Sequence, residues 1–382
     1  MISLAKKDCC GCETCAQVCP RNCIEMVADK EGFKYPVIDK KKCVDCHLCE
    51  KCCPSLNKMN KVDAEEDTSK TDCYVARNQS TERLNSSSGG IFVLLAKKIL
   101  SEGGVVFGAA FDSNWRVQQT ECIDISDLDK LMRSKYVQSA NNDSYKKAKE
   151  YLQAGRKVLY TGTACQIEGL KAFLGREYDN LFTADVLCHG VPSPKVWDLY
   201  VKELMAGHSS KISSINFRDK SLGWHDYSFK ATFEDGSELS REYFRDPYML
   251  LFIQNVILRP SCHFCKFKGF PRCSDITLGD AWGIEKKKPE MDDDKGTSVI
   301  ICNSDKGMNL LEEIEDGLEI HKGELDVYLP KTAHSRIPVP IAKERRICFI
   351  YLTHGGDMAK LRSTMNSTFK SKVLRNLLKS NL

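Results

Sequence analysis

The sequence predicts an α+β / α/β protein, in which a small cysteine-bound N-terminal module is fused to a larger domain on a mixed sheet. Three observations predict it. One cysteine spacing occurs twice before residue 55. Between Val105 and Pro194, strand, glycine turn and helix follow one another as they do in parallel sheets. After Ile212 the pattern changes to a hairpin: Phe229 to Phe233, then Asp235-Gly236, then Leu239 to Tyr243. The resulting divisions are 1–57 for the module, 58–72 for a linker, 73–150 and 151–330 for two regions of the larger domain, and 331–382 for a basic, helical tail.

The repeated spacing is C-x2-C-x2-C-x3-C-P. It runs through Cys9, Cys12, Cys15 and Cys19-Pro20, and again through Cys43, Cys46, Cys49 and Cys53-Pro54. Three cysteines two residues apart wrap a short loop whose thiolates converge on one face of a 4Fe–4S cubane. The fourth, beyond the loop, completes the other cluster. One cluster is therefore expected on Cys9, Cys12, Cys15 and Cys53, and a second on Cys43, Cys46, Cys49 and Cys19. Zinc prefers paired CxxC units to an unbroken triplet, and disulfides need an oxidising compartment. The stretch resembles bacterial-type two-cluster ferredoxins. Gly11 is expected to leave room for the cluster in the first loop, where the second has Asp45. Cys10, Cys23 and Cys52 fall outside the pattern and are expected to be small buried thiols.

Length and composition set the frame. A chain of 382 residues with 42% hydrophobic and 28% charged residues suits a soluble globular protein of more than one domain. A net charge of +4 is too small to argue for nucleic acid. The start, MISLAKKDCC, has no apolar signal region, and no apolar run reaches the roughly 20 residues of a membrane span. A reducing cytoplasm is expected.

After the polar linker, Cys73 to Ala76 reads as a strand. Asn85-Ser86-Ser87-Ser88-Gly89-Gly90 precedes a helix with Ile91, Leu95 and Ile99 on one face, its serines placed as caps and its glycine-bearing start suited to a phosphate. Val105 to Phe111 is a buried strand, Arg116 to Cys122 a half-exposed one, and Asp143 starts a helix. Val158-Leu159-Tyr160 runs through a turn at Thr161-Gly162-Thr163 into a helix, and the strand Phe182 to Leu187 ends on Cys188-His189. Cys165 and Cys188 thus close successive strands at one sheet edge, where ligands bind in such folds. Ser193-Pro194 and Asp246-Pro247 open helices, and strands follow at Ile276 and Val299. Cys262 and Cys265 form a CxxC. Joined to Cys165 and Cys188, they make four soft thiolates and a third cluster, with Cys273 an open alternative ligand. Cys73, Cys122, Cys302 and Cys348 lie in apolar runs and read as core.

From about Cys73 to Pro330 the chain resembles the coenzyme F-420 hydrogenase/dehydrogenase beta-subunit family. The matching pieces are Ser88-Gly89-Gly90-Ile91-Phe92, Ser134-Lys135-Tyr136, Gly162-Thr163-Ala164-Cys165-Gln166, Cys188-His189-Gly190-Val191-Pro192-Ser193, Cys262-x2-Cys265 and Ser274 to Asp280. Ala164 stands where the family usually has Pro. The resemblance implies an FAD, with Ser88, Gly89, Gly90, Lys135, Tyr136 and Thr163 at its pocket. It also favours Cys165, Cys188, Cys262 and Cys265 as ligands of the third cluster.

Clusters pass one electron at a time, whereas hydride acceptors take two, so a flavin between them makes chemical sense. The expected function is an iron–sulfur flavoprotein oxidoreductase between a ferredoxin-type donor or redox partner protein and a hydride-carrying coenzyme or small substrate. A non-catalytic electron-transfer subunit is the alternative. His189 is a candidate proton donor or a structural histidine, and no catalytic acid or base is named.

Overall fold

The computed structural model describes residues 2–59, 66–69 and 71–365. In the N-terminal module, β1 (Ile24–Ala28) and β2 (Lys34–Ile38) pair antiparallel, with Ile24 opposite Ile38. Two short helices, Thr14–Val18 and Leu48–Lys51, follow the cysteine loops. The duplication in sequence is also one in backbone: Glu13 and His47 start these helices with φ of 64° and 59°.

The larger domain holds β3 (Asp72–Asn78), β4 (Val105–Phe111), β5 (Val117–Cys122), β6 (Val158–Thr163), β7 (Leu181–Val186), β8 (Ile212–Asp219), β9 (Ser228–Phe233), β10 (Glu238–Glu242), β11 (Ile276–Asp280), β12 (Ser298–Cys302) and β13 (Leu318–Gly323). Eight of these form one sheet in the order β13-β3-β12-β11-β7-β6-β4-β5. Its central strands β4, β6, β7 and β11 are parallel, and antiparallel pairings flank them. β3 is antiparallel to β12, itself antiparallel to β11. The carboxyl ends of β3, β4, β6, β7 and β11 therefore share one edge.

Strand periodicity sorts the side chains between two layers. Val105, Phe107, Val158 and Tyr160 pack against the helices Ser144–Gln153 and Ala164–Leu174 through Tyr145, Leu152, Ile167 and Leu170. Val106, Leu159 and Ile300 face the helix Ile91–Ser101 through Ile91, Leu95 and Ile99. A second sheet, β10-β9-β8, closes over Trp197 and Tyr248 from the Pro-started helices Pro194–Ala206 and Pro247–Ile253.

Three expectations change. The helix at Ile91 is started by Gly90, at φ 81°, and no serine side chain caps it. The segment Thr161-Gly162-Thr163 continues β6, pairing with Ala184 to Val186, instead of turning. The tail is not a solvated extension over its described part. Helices Arg345–Thr353 and Met358–Ser363 bury Cys348, Phe349, Leu352, Met358 and Leu361 in the largest apolar cluster, because their apolar residues recur at helical spacing on one face. Part of the linker is also anchored: Glu66 pairs with Arg336 at 2.7 Å. The rest of the expected linker, residues 60–65 and 70, and tail residues 366–382 lie outside the described residues.

Leu361, 0% exposed, tests the packed tail. Leu361→Ala is expected to destabilise the larger domain by about 2–5 kcal/mol, seen as a lower Tm in calorimetry. An unchanged Tm is the result expected of a solvated tail.

Candidate redox site

The cysteine runs fold so that each takes its fourth thiol from the other. Cys9, Cys12, Cys15 and Cys53 are all buried, and Cys15 lies in the field of both Cys9 and Cys53. Cys19 instead joins Cys43, Cys46 and Cys49 around a solvent-open recess of about 370 Å³. The first group is the inner one and the second, with Cys46 exposed, the outer. All twenty cysteines are free thiols.

The cysteines outside the pattern do not share one role. Cys23 Sγ sits 3.4 Å from Cys19 Sγ, and Cys52 Sγ donates to the Cys49 carbonyl at 3.7 Å. Cys10 turns out of its loop, accepts from Ser55 Oγ at 3.7 Å, and contacts both Cys12 and Cys165.

That contact lies on the wall of a cavity between the module and the larger domain, with about 610 Å³ of space. Cys165 enters at the start of helix Ala164–Leu174, directly after β6, and Cys188 just beyond β7. Cys262 and Cys265 come from the single-turn helix Pro260–Phe264 and its end. Lys7, Lys266, Lys268 and Arg272 stand in the same wall against one carboxylate, Asp8. Cys273 is not part of it, and packs instead against the Tyr145 and Leu170 cluster.

Burial raises the Cys188 and Cys265 thiols above the usual range and pushes Cys262 up to about 12, while contact with Cys10 raises Cys165. Thiols so disposed stay protonated until a metal displaces the proton. Four of them in a cation-rich wall suit an anionic 4Fe–4S cluster, as do the two groups in the module.

A buried network holds the CxxC arm in place. Asp185 on β7 pairs with Arg272 at 2.6 Å and accepts from Ser274 Oγ at 2.9 Å, while Asp275 accepts from the Thr183 amide at 2.8 Å. The Ser274-Asp275-Ile276-Thr277 motif is thus a set of mutually satisfied polar groups that registers β11 beside β7. His189 accompanies Cys188 but is held by Asn255 Oδ1 at 2.6 Å, and burial drops its pKa to about 4.

The residues expected around a flavin lie at the strand edge, in two separate groups. The Ser134 amide donates to Ser87 Oγ at 2.8 Å, which ties Ser88-Gly89-Gly90 to Lys135-Tyr136. Thr163 lies apart: it caps helix Ala164–Leu174 and approaches Cys165 Sγ at 3.2 Å. Several of their polar atoms are already engaged. Ser88 Oγ donates to Thr297 O at 3.0 Å, the Gly89 amide to Ser298 Oγ at 3.0 Å, and Lys135 Nζ to Met132 O at 2.7 Å. A Cβ on Gly89 would sit 2.6 Å from the Ala76 carbonyl, so glycine is required there for strand packing. Burial lowers the Lys135 pKa to about 7.

The free donors belong to a residue that sequence reasoning missed. Arg218, on β8, is buried and pairs with Asp280 at 2.6 Å, yet its Nε and Nη2 have no partner among the described residues. Its guanidinium lies 4.5 Å from the Tyr227 ring centre and 5.0 Å from that of Trp282, and it interacts with Tyr136. Buried orphan N–H groups between aromatic rings fit the carbonyl and anionic edge of a flavin ring. The strand pattern around Arg218 carried no signal; Asp280 ends the Ser274 to Asp280 motif, which gave it no role.

Residues 155–327, from the end of helix Ser144–Gln153 through the helix after β13, match the family described as coenzyme F420 hydrogenase/dehydrogenase, C terminus of the beta subunit. This stretch, less than half of the chain, is similar to that family. The matched residues include Cys165, Cys188, Cys262, Cys265, Arg218 and Asp280. A chain of the F420-reducing [NiFe] hydrogenase complex from Methanosarcina barkeri, solved as a xenon derivative, aligns over 76% of this chain and 90% of its own, with 19% identity and a TM-score of 0.46. No curated protein matches the chain. Among the described residues, no helix is long and apolar enough to cross a membrane.

The cavity between the module and the larger domain yields a direct prediction. Cys262→Ala should remove about 4 iron atoms per chain from anaerobically prepared protein, and Cys273→Ala none, by iron analysis. The reverse pattern would assign the ligand role to Cys273.

Proposed function

We propose that the chain is an iron–sulfur flavoprotein oxidoreductase that passes electrons between a ferredoxin-type donor and a hydride-accepting coenzyme or small substrate. The match of residues 155–327 to the beta-subunit family supports an oxidoreductase-related role. The observation that carries the finer reading is the run of thiol groups from surface to interior: the open outer group, the buried inner group, and the cavity that Cys10 joins to it through Cys12 and Cys165. Bound at these places, 4Fe–4S clusters supply one-electron transfer and an FAD the pairing of two electrons into hydride.

The chain's own residues do the rest. The three groups of four cysteines, Cys9/12/15/53, Cys19/43/46/49 and Cys165/188/262/265, hold the clusters. Lys268, whose Nζ donates to the His189 carbonyl at 3.0 Å, counters the charge of the third. Arg218 orients the flavin and steadies negative charge on its ring, with Asp280 fixing the guanidinium. Gly90 leaves the first-turn amides of helix Ile91–Ser101 without a side-chain cap, a suitable place for the cofactor's phosphates. F420 is the first acceptor to try, since the matched family's description names it. Val44 and Leu48, exposed beside the outer thiols, favour a docked protein partner there and keep the non-catalytic electron-transfer subunit as the second reading.

Anaerobic reconstitution of the full chain should give about 12 iron atoms and one FAD per chain, and dithionite should bleach the flavin. Arg218→Gln should weaken FAD binding about tenfold or more at unchanged iron content. A chain that fills with iron but binds no flavin leaves the electron-transfer subunit instead.

A further inference from the structure

The two cysteine loops share their spacing and their backbone form but differ at one point. Gly11 in the first loop has φ +74°, and Asp45 at the matching place in the second has φ +51°. Both loops therefore adopt the left-handed turn, and an Asp manages it without glycine. Gly11 is required for another reason: a Cβ there would lie 2.7 Å from Arg259 Nη1 and 2.8 Å from its Cζ. The space kept free by Gly11 is filled by a guanidinium of the larger domain.

Arg259 is 0% exposed. Its Nε donates to the Cys9 carbonyl at 2.8 Å, Nη1 to Gln138 Oε1 at 2.9 Å, and Nη2 to the Lys34 carbonyl at 2.9 Å. Nη2 also points at Cys9 Sγ, 3.7 Å away. The rings of Tyr35 and Phe33 lie 4.4 Å and 5.5 Å from its Cζ. Among the described residues it forms no salt bridge. Glu13, the carboxylate in its field, is held by the amides of Asn141 and Asn142 at 3.2 Å and 2.8 Å. A cation buried without a paired carboxylate is costly unless another anion stands beside it. Here the nearest candidate anion is the inner cysteine group carrying its cluster.

We propose that Arg259 sets the reduction potential of the inner cluster, and does so only while the N-terminal module is docked on the larger domain. This rests on the assignment of a cluster to Cys9, Cys12, Cys15 and Cys53. A cluster held by four thiolates is anionic and gains one further negative charge on reduction. Burial disfavours that gain, whereas a cation and an N–H donor at a ligand sulfur favour it. The outer group is open to solvent at Cys46 and carries Asp45 where the inner loop makes way for a guanidinium. Without Arg259 the buried inner group would be harder to reduce than the open outer one, and inward transfer would run uphill. Arg259 offsets that. Because it comes from the segment just before Cys262, the offset disappears when the module leaves its seat.

The test is an anaerobic redox titration of the full chain followed by electron paramagnetic resonance, the inner signal being the one that Cys53→Ala removes. Arg259→Gln should lower the inner cluster's reduction equilibrium constant at least tenfold, which is about 59 mV for one electron. The outer signal should stay in place. Arg259→Lys, which keeps the charge but loses the guanidinium's fork of N–H donors at Cys9, should lower it by less than half as much but by a resolvable amount. If only the Gln variant sheds inner iron, the Lys variant decides: a downward shift of the inner signal alone supports the role, and no shift overturns it. Unchanged inner potential at full iron content, equal shifts of both signals, or loss of inner iron from both variants also overturns it. A wild-type chain with no inner cluster would instead defeat the proposed function itself.

Discussion

The chemistry of this chain depends on one seam, where the cysteine module is seated on the larger domain. Phe33 leaves the β1–β2 turn region of the module to lie fully buried in the large apolar cluster, 6.4 Å from the Phe349 ring. Around it, backbone carbonyls on both sides find side-chain donors across the seam: Asn141 Nδ2 donates to the Cys12 carbonyl at 2.8 Å, and Thr14 Oγ1 of the module to the Gly169 carbonyl at 3.1 Å. Gly169 permits that approach, since a Cβ there would stand 2.7 Å from Thr14 Oγ1. Burying so many backbone groups is tolerable only because each finds a partner. The seam is therefore specific in register as well as in position.

That register has a chemical consequence. The cavity lined by Cys165, Cys188, Cys262 and Cys265 takes a wall from Cys10 and Ser55 of the module. Removing the module would open the cavity to water and strip Arg259 of every acceptor it has in the module, leaving a cation that the apolar surroundings disfavour. While the module is seated, its thiol groups and the four-cysteine cavity are therefore neighbours across one seam. The Asp185–Arg272 pair does the same work one layer further in, fixing the CxxC arm to the strand that delivers Cys188.

The sheet explains why the chemistry collects where it does. Five strands end at one edge, so the segments that leave them must cross there, carrying Cys165, Cys188, Asp280 and the Ser88 to Gly90 turn. Arg218 arrives from the second sheet, which packs over that edge through Phe217 and Trp197. The four-cysteine cavity and the Arg218–Asp280 pair then share one face without any long loop.

The sequence by itself determined the local parts. Duplicated spacing announced the two cysteine loops, period-two apolar runs announced the central strands, and Ser193-Pro194 and Asp246-Pro247 announced helix starts, because each depends on neighbours a few residues apart. Cys262 and Cys265 were legible as a pair for the same reason. Tertiary structure alone decided the rest. Gly11 looked like room for a cluster and is room for Arg259, a contact between distant parts of the chain that no local pattern encodes. Cys10 looked like filler and faces Cys165, and Arg218 sat unnoticed in an ordinary strand until Asp280 and Tyr227 closed around it. The tail at Arg345 to Ser363 read as basic, yet its helical face is apolar, and only the exposed surface of the second sheet's cluster gave that face something to bury against. Charge and spacing are properties of the chain, but burial belongs to the fold.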